Sequence, residues 1–112
     1  MADAVALYDE ADRLKDAGKL EEAVAKLNEA LAADSNYSLA HSALAVVLQK
    51  LGRHEEAIEH ACRACELGPN DPFSYTALSV IYQRAFAGTQ DQRYIRMAED
   101  AMEQSRVLQG RH

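Results

Sequence analysis

Laid against itself at a shift of 34 residues, the sequence matches itself in order. Gly18 falls on Gly52, Ala23 on Ala57 and Ala30 on Ala64; Ala11 falls on Ala45 and then Ser79, and Leu14 on Leu48 and then Tyr82. The tetrapeptide Glu21-Glu22-Ala23-Val24 meets Glu55-Glu56-Ala57-Ile58. A period of this length means one supersecondary unit used repeatedly, each unable to bury its apolar face alone, and therefore a stack of units. The 112 residues hold three units in a single domain over 1–112, bounded at about 4–37, 38–71 and 72–112.

Inside a unit the apolar spacing is helical. Leu7, Ala11 and Leu14 recur at i, i+4 and i+7, and Leu20, Ala23, Leu27, Ala30 and Leu31 at steps of 3 and 4. Twenty-one Ala against 2 Phe and no Trp, with only 2 Pro and 5 Gly, exclude a β-sandwich or barrel. Asp3 caps a first helix that Gly18 ends, and a second spans Leu20–Ala33 with Glu21 and Glu22 at its positive end. The second unit repeats this with helices over Ser38–Leu51 and Glu55–Leu67. Pro69 stops a helix and Pro72 suits the first turn of the next. Small residues such as Ala11, Ala23 and Ala30 let the helices approach, while Leu14, Leu27 and Leu31 fill the gaps between units.

The third unit departs from the pattern. Its first helix is expected over Phe73–Ala87, with Tyr75, Leu78, Tyr82 and Phe86 inward. The Ala due 34 residues after Ala57 is replaced by Asp91, and the matching one is Ala98, so about seven residues are inserted. Thr89 and Gln92 have the spacing of a capping box, which predicts a last helix lengthened at its start, over Gln90–Leu108. In that helix Ile95, Met102 and Leu108 are expected to face the preceding helix, with Met97 and Val107 at its outer edge.

This 34-residue helix–turn–helix pattern resembles the tetratricopeptide repeat (TPR) family over nearly the whole chain. The resemblance rests on the ordered small–large–Gly–Ala–Ala series quoted above and on Pro69 at a unit end; Ser35 stands at the corresponding place in the first unit. The usual aromatic early in the first helix is Leu7, His41 and Tyr75 here. The fold implied is an all-α, right-handed solenoid of three helix–turn–helix repeats, the third with an insertion and a longer final helix.

The net charge of -6 and pI of about 5.1 argue against nucleic acid and against an anionic membrane surface, both of which need clustered cations. Residues 1–34 hold nine Asp/Glu against four Lys/Arg, so a basic partner is drawn to that end first. No apolar run approaches the ~18 residues of a membrane span. Met1-Ala2-Asp3-Ala4 lacks the basic and hydrophobic parts of a signal peptide, and two Cys do not make a disulfide framework. A reducing, cytoplasmic setting is expected.

No phosphate loop, dinucleotide fingerprint, nucleophile elbow or zinc-protease His pair occurs, so no enzyme activity, catalytic residue or cofactor is expected. Cys62 and Cys65 form a C-x-x-C at the C-terminal end of a helix, where the dipole does not favour a thiolate; Glu66 occupies the place of a haem-attachment His. His41, His54, His60 and His112 do not supply a second ligand pair at zinc spacing, so no metal site is expected. Cys65 reads as a buried small hydrophobe and Cys62 as exposed. A thiol- or metal-responsive switch through this pair is the weakest of three functional readings.

The leading reading is a non-enzymatic protein–protein interaction module or scaffold. The resemblance implies a peptide or amphipathic helix bound in the groove formed by the first helices of the repeats, lined by Tyr8, Asp12, Leu39, Ala43, Val46, Phe73, Ala77 and Val80, with Gln49, Gln83 and Arg84 toward one end. The chaperone-binding TPR subclass holds a C-terminal carboxylate with Lys, Asn, Asn, Lys and Arg, and the matching positions here are Tyr8, Asp12, Ala43, Phe73 and Ala77. All five differ, which excludes that clamp. What remains is an apolar floor rimmed by acid, which suits an apolar protein or peptide with basic flanks. The alternative is a self-assembling structural protein stacking through Ile95, Met97, Met102 and Leu108, with only Gly110-Arg111-His112 beyond, in the form of a weak homodimer through the C-terminal helix.

Overall fold

The computed structural model describes residues 3–110; the expectations placed on Met1, Ala2, Arg111 and His112 lie outside the described residues. Six helices follow one another, α1 (Ala4–Asp16), α2 (Leu20–Ala33), α3 (Ser38–Lys50), α4 (His54–Leu67), α5 (Pro72–Thr89) and α6 (Arg93–Gln109), and there is no strand among the described residues. They pair as three hairpins, α1 on α2, α3 on α4 and α5 on α6, and each hairpin packs on the next.

The helix ends follow from local chemistry. The Asp3 carboxylate accepts the Ala6 N–H at 2.8 Å, and Asp71 accepts that of Phe73 at 2.9 Å with Pro72 at the first helical position. Gly18 and Gly52 take φ of +79° and +78°, where a side chain would be strained. That conformation lets the Lys19 N–H reach Leu14 O and the Arg53 N–H reach Leu48 O, both at 2.9 Å, tying up carbonyls that each helix leaves over. Between hairpins, the Asp34 carboxylate accepts the Asn36 N–H at 3.0 Å in a tight turn.

The insertion is distributed differently from the expectation. It lengthens α5, which reaches Thr89 rather than Ala87, and α6 starts at Arg93 rather than Gln90. No Thr89–Gln92 capping box forms. The Thr89 hydroxyl instead donates back to Ala85 O at 2.7 Å and accepts the Asp91 N–H at 3.2 Å. Gln90 then ends α5 in the left-handed conformation at φ +62°, and Asp91 accepts the Arg93 N–H at 3.1 Å to start α6. The extra turn of α5 lies over the start of α4, where a Cβ on Gly88 would overlap the His54 ring. A larger residue there would require the His54 ring to move.

Leu27, Leu44, Val47 and Leu48 are the largest fully buried apolar side chains, surrounded by Ala11, Ala23, Ala30, Ala45, Ala57 and Ala61. Leu14 and Leu31, expected between units, are only half-buried and flank this core. In α5, Leu78 and Tyr82 are buried and Tyr75 and Phe86 half-buried. In α6 the inward face is Ala98, Ala101, Ser105 and Leu108. Ile95 is 41% exposed, close to Met97 and Val107, because the small residues carry the crossing and leave the longer side chain at its edge.

Candidate protein-interaction surface

The eight residues expected to line one groove separate into three groups. Tyr8, Asp12 and Ala43 meet in the crevice between α1 and α3, with Ala11, Lys15, Leu27 and Val47. The crevice is closed: its free volume is only about 10 Å³. Tyr8 is engaged with Tyr37 in the turn before α3, ring centroids 5.7 Å apart, and Asp12 with Lys15 at 3.3 Å. Burial, followed by the neighbouring Tyr8, holds the Tyr37 hydroxyl above the usual tyrosine range.

Val46, Ala77 and Val80 come together around an open pocket of about 380 Å³ between α3 and α5. Ala45, Ala61 and Ala64 form its floor, so small side chains on α3 and α4 create the space. Leu39 and Phe73 lie outside both, at the first turns of their helices, and are 55% and 76% exposed. A side chain as large as Phe73 left this wet forgoes most of the roughly 1.5–3 kcal/mol that full burial contributes.

The rim of the α3–α5 pocket is basic. Lys50 and Arg84 stand at its mouth with Gln49, and neither makes an ion pair or hydrogen bond among the described residues. The acidic rim expected from the sequence is not found at this pocket, whose lining holds Lys50 and Arg84 and no carboxylate. The charge imbalance of the first 34 residues belongs to another part of the surface, and Asp12 is neutralised locally by Lys15.

Cys65 lies in the core and Cys62 packs against it. Cys65 is buried, and its thiol is pushed up to about 11, first by burial and then by Cys62 and nearby acids, so it does not ionise near neutrality. Cys62 is half-buried rather than exposed, because α5 crosses it with the Tyr82 hydroxyl 3.7 Å from its sulfur. Among the described residues no three His, Cys, Asp or Glu converge to hold a metal.

Sequence spacing missed one pair. His41 of α3 and His60 of α4 meet with their Nδ1 atoms 3.0 Å apart, and His41 Nε2 lies 3.0 Å from Ser35 O. A carbonyl only accepts, so His41 donates from Nε2, and the two Nδ1 atoms share one proton between the rings. Burial and the neighbouring His41 lower the pKa of His60, against the opposing pull of Glu59 and Glu56. The only available signal was that His41 occupies an inward-facing position.

Stacked helical hairpins with an open pocket between the first helices of successive units define a helical-repeat protein. The tetratricopeptide repeat model TPR_16 matches residues 8–72, more than half of the chain, and the chain belongs to the tetratricopeptide repeat family. No curated protein matches it significantly. Among solved structures it is similar to MamA (19% identity, TM-score 0.82, covering 96% of this chain and 58% of that one). The second TPR of Spaghetti (RPAP3) bound to the HSP90 peptide SRMEEVD is 22% identical, with a TM-score of 0.77 and coverage of 94% and 91%. YrrB, described as a TPR protein with an unusual peptide-binding site, is 17% identical, with a TM-score of 0.81 and coverage of 100% and 54%. The chain thus spans little more than half the length of MamA and YrrB. No helix among the described residues is long and apolar enough to cross a membrane.

Proposed function

We propose that this chain is a non-enzymatic interaction module that binds a peptide or amphipathic helix across the first helices of its second and third hairpins. The observation that carries this reading is the open α3–α5 pocket flanked by exposed Phe73 and Leu39. An apolar surface of this kind on a small domain is a binding feature rather than scattered exposure. Two of the similar folds are described as peptide binders, which supports the class of partner but not its sequence. Phe73→Glu is expected to weaken a partner captured by the purified chain by about 2 kcal/mol or more, the scale of a hot spot, while leaving helicity unchanged. Titration calorimetry with unchanged affinity would move the site elsewhere.

A second reading, self-association through α6, has its own support. An apolar crevice of about 330 Å³ lies between α5 and α6, lined by Phe86, Ile95, Ala98 and Met102, and Met97 and Val107 are exposed beside it. Pairing two such faces in an isologous dimer removes part of that surface from water. Sedimentation across a hundredfold concentration range is expected to show a weak dimer, and a constant monomer mass would remove this reading.

A further inference from the structure

We infer that the α3–α5 seam receives an amphipathic helix lying antiparallel to both, with its acidic first turn against Lys50 and Arg84. This rests on the groove-binding reading above and specifies the partner's chemistry and direction.

The seam has a direction. At its start, in the first turns of α3 and α5, stand the exposed apolar side chains Leu39 and Phe73. Eleven residues further along each helix stand Lys50 and Arg84, about 16 Å away at the rise of an α-helix. Between them lies the pocket, with Val46, Ala77 and Val80 on its walls. An occupant therefore needs apolar side chains along its length and negative charge at one end only.

The charge at that end is unanswered within the chain. Six Lys and Arg side chains form ion pairs; Lys50 and Arg84 form none among the described residues, like Arg13, Lys19 and Arg96, but they alone of these five line the α3–α5 pocket. The net charge of -6 does not cancel this preference, because charges beyond the ~8 Å Debye length at physiological salt are largely screened.

Two further points select a helix and its direction. The walls of the seam are helices whose backbone groups are already paired, so an extended peptide finds no sheet edge to extend. The small side chains Ala45, Ala61, Ala64 and Ala77 let a third helix sit close. A helix antiparallel to α3 and α5 opposes their dipoles, and its N-terminal turn, where Asp and Glu are most stable, then falls beside Lys50 and Arg84. Charge and dipole favour the same orientation.

The test uses two fluorescent, hydrocarbon-stapled, Ala-based peptides of about 15 residues, stapled because free helices of that length are marginal in water. Both are N-acetylated and C-amidated and carry Leu at i, i+4 and i+7. One has Glu at its first two helical positions and the other has Lys. By anisotropy the Glu peptide is expected to bind the full chain at least tenfold more tightly. Lys50→Glu combined with Arg84→Glu is expected to invert that preference, and Phe73→Glu to weaken both peptides tenfold or more. All three positions are exposed, and circular dichroism checks each variant; Arg84→Ala, which removes rather than reverses charge, serves if the double change unfolds.

Equal binding of both peptides, unaltered by charge reversal but still lost in Phe73→Glu, would overturn this inference and leave the groove reading standing. No binding of either peptide, or binding indifferent to Phe73→Glu, would overturn both. Displacement of the Glu helix by a short acidic peptide only when its C-terminal carboxylate is free would assign the cations to a chain terminus instead. Self-association abolished by Arg84→Glu would assign the seam to a second copy.

Discussion

The second and third hairpins are built on the same ladder of positions yet close their helix crossings by different chemistry. Between α3 and α4 the small positions are Ala45, Ala57 and Ala64, and the polar contact is the His41–His60 pair. Between α5 and α6 the places of Ala45 and Ala64 are taken by Ser79 and Ser105. The Ser79 hydroxyl donates to Ala98 O at 2.8 Å, and Thr76 and Ser105 share a hydrogen bond at 2.7 Å. Where α3 buries Leu48, α5 carries Tyr82, packed against Tyr94 with centroids 6.0 Å apart and touching Cys62. The third hairpin thus takes an added hydroxyl where the facing helix supplies it a hydrogen-bond partner, and a ring in place of an isobutyl group where Tyr94 and Cys62 line it.

Exchanging residues between the hairpins tests this, and the largest effect is expected at the Leu48 and Tyr82 positions. Leu48 is 1% exposed, so Leu48→Tyr combines overpacking with a buried, unpartnered hydroxyl and should cost about 3 kcal/mol or more. Tyr82→Leu should cost less, about 2 kcal/mol, from the lost contacts to Tyr94 and Cys62. Chemical denaturation of the two variants gives the comparison. Equal costs would mean that the two sites are packed alike.

The turns come next. Gly52 and Gln90 both adopt positive φ, but only one is glycine. Gly52→Gln should destabilise by about 1 kcal/mol, and Gln90→Gly should gain less than that, since glycine also loosens the unfolded chain. A thermal midpoint that rises in the first variant would contradict the strain assigned to that conformation.

The smallest effect concerns pH and belongs to the second hairpin alone, since Tyr75 stands where His41 does and Ala101 where His60 does. The pKa of His60 is lowered on folding, so the unfolded chain binds its proton more readily. Stability is then full above the unfolded histidine range, near 6.5, and falls as pH drops through it toward the lower folded value. Thermal midpoints between pH 8 and 5 should decline less steeply in His60→Gln; identical slopes would show that the pair does not titrate in this window.

Much of the fold was legible in the 34-residue period, because each hairpin is a local unit whose apolar spacing, caps and glycines lie within it. Asp3, Gly18, Gly52 and Pro72 mark helix ends by the chemistry of one turn, and α2 has the bounds its sequence predicts. The insertion was located to the third unit but not divided correctly between its helices. That division depended on whether Thr89 would cap forward or bond back, and on the space that Gly88 leaves His54.

The sequence by itself determined the order of hairpins and the alanine positions at which they meet, since these follow from helical periodicity within short stretches. Tertiary structure alone decided that His41 meets His60, that Tyr8 is engaged by Tyr37, and that Ile95 is left at an edge. It also decided that Lys50 and Arg84 frame the α3–α5 pocket while the α1–α3 crevice is closed. Such pairings join residues far apart in the chain. They depend on how closely successive hairpins pack, which is set by the summed volumes of many side chains rather than by any local pattern.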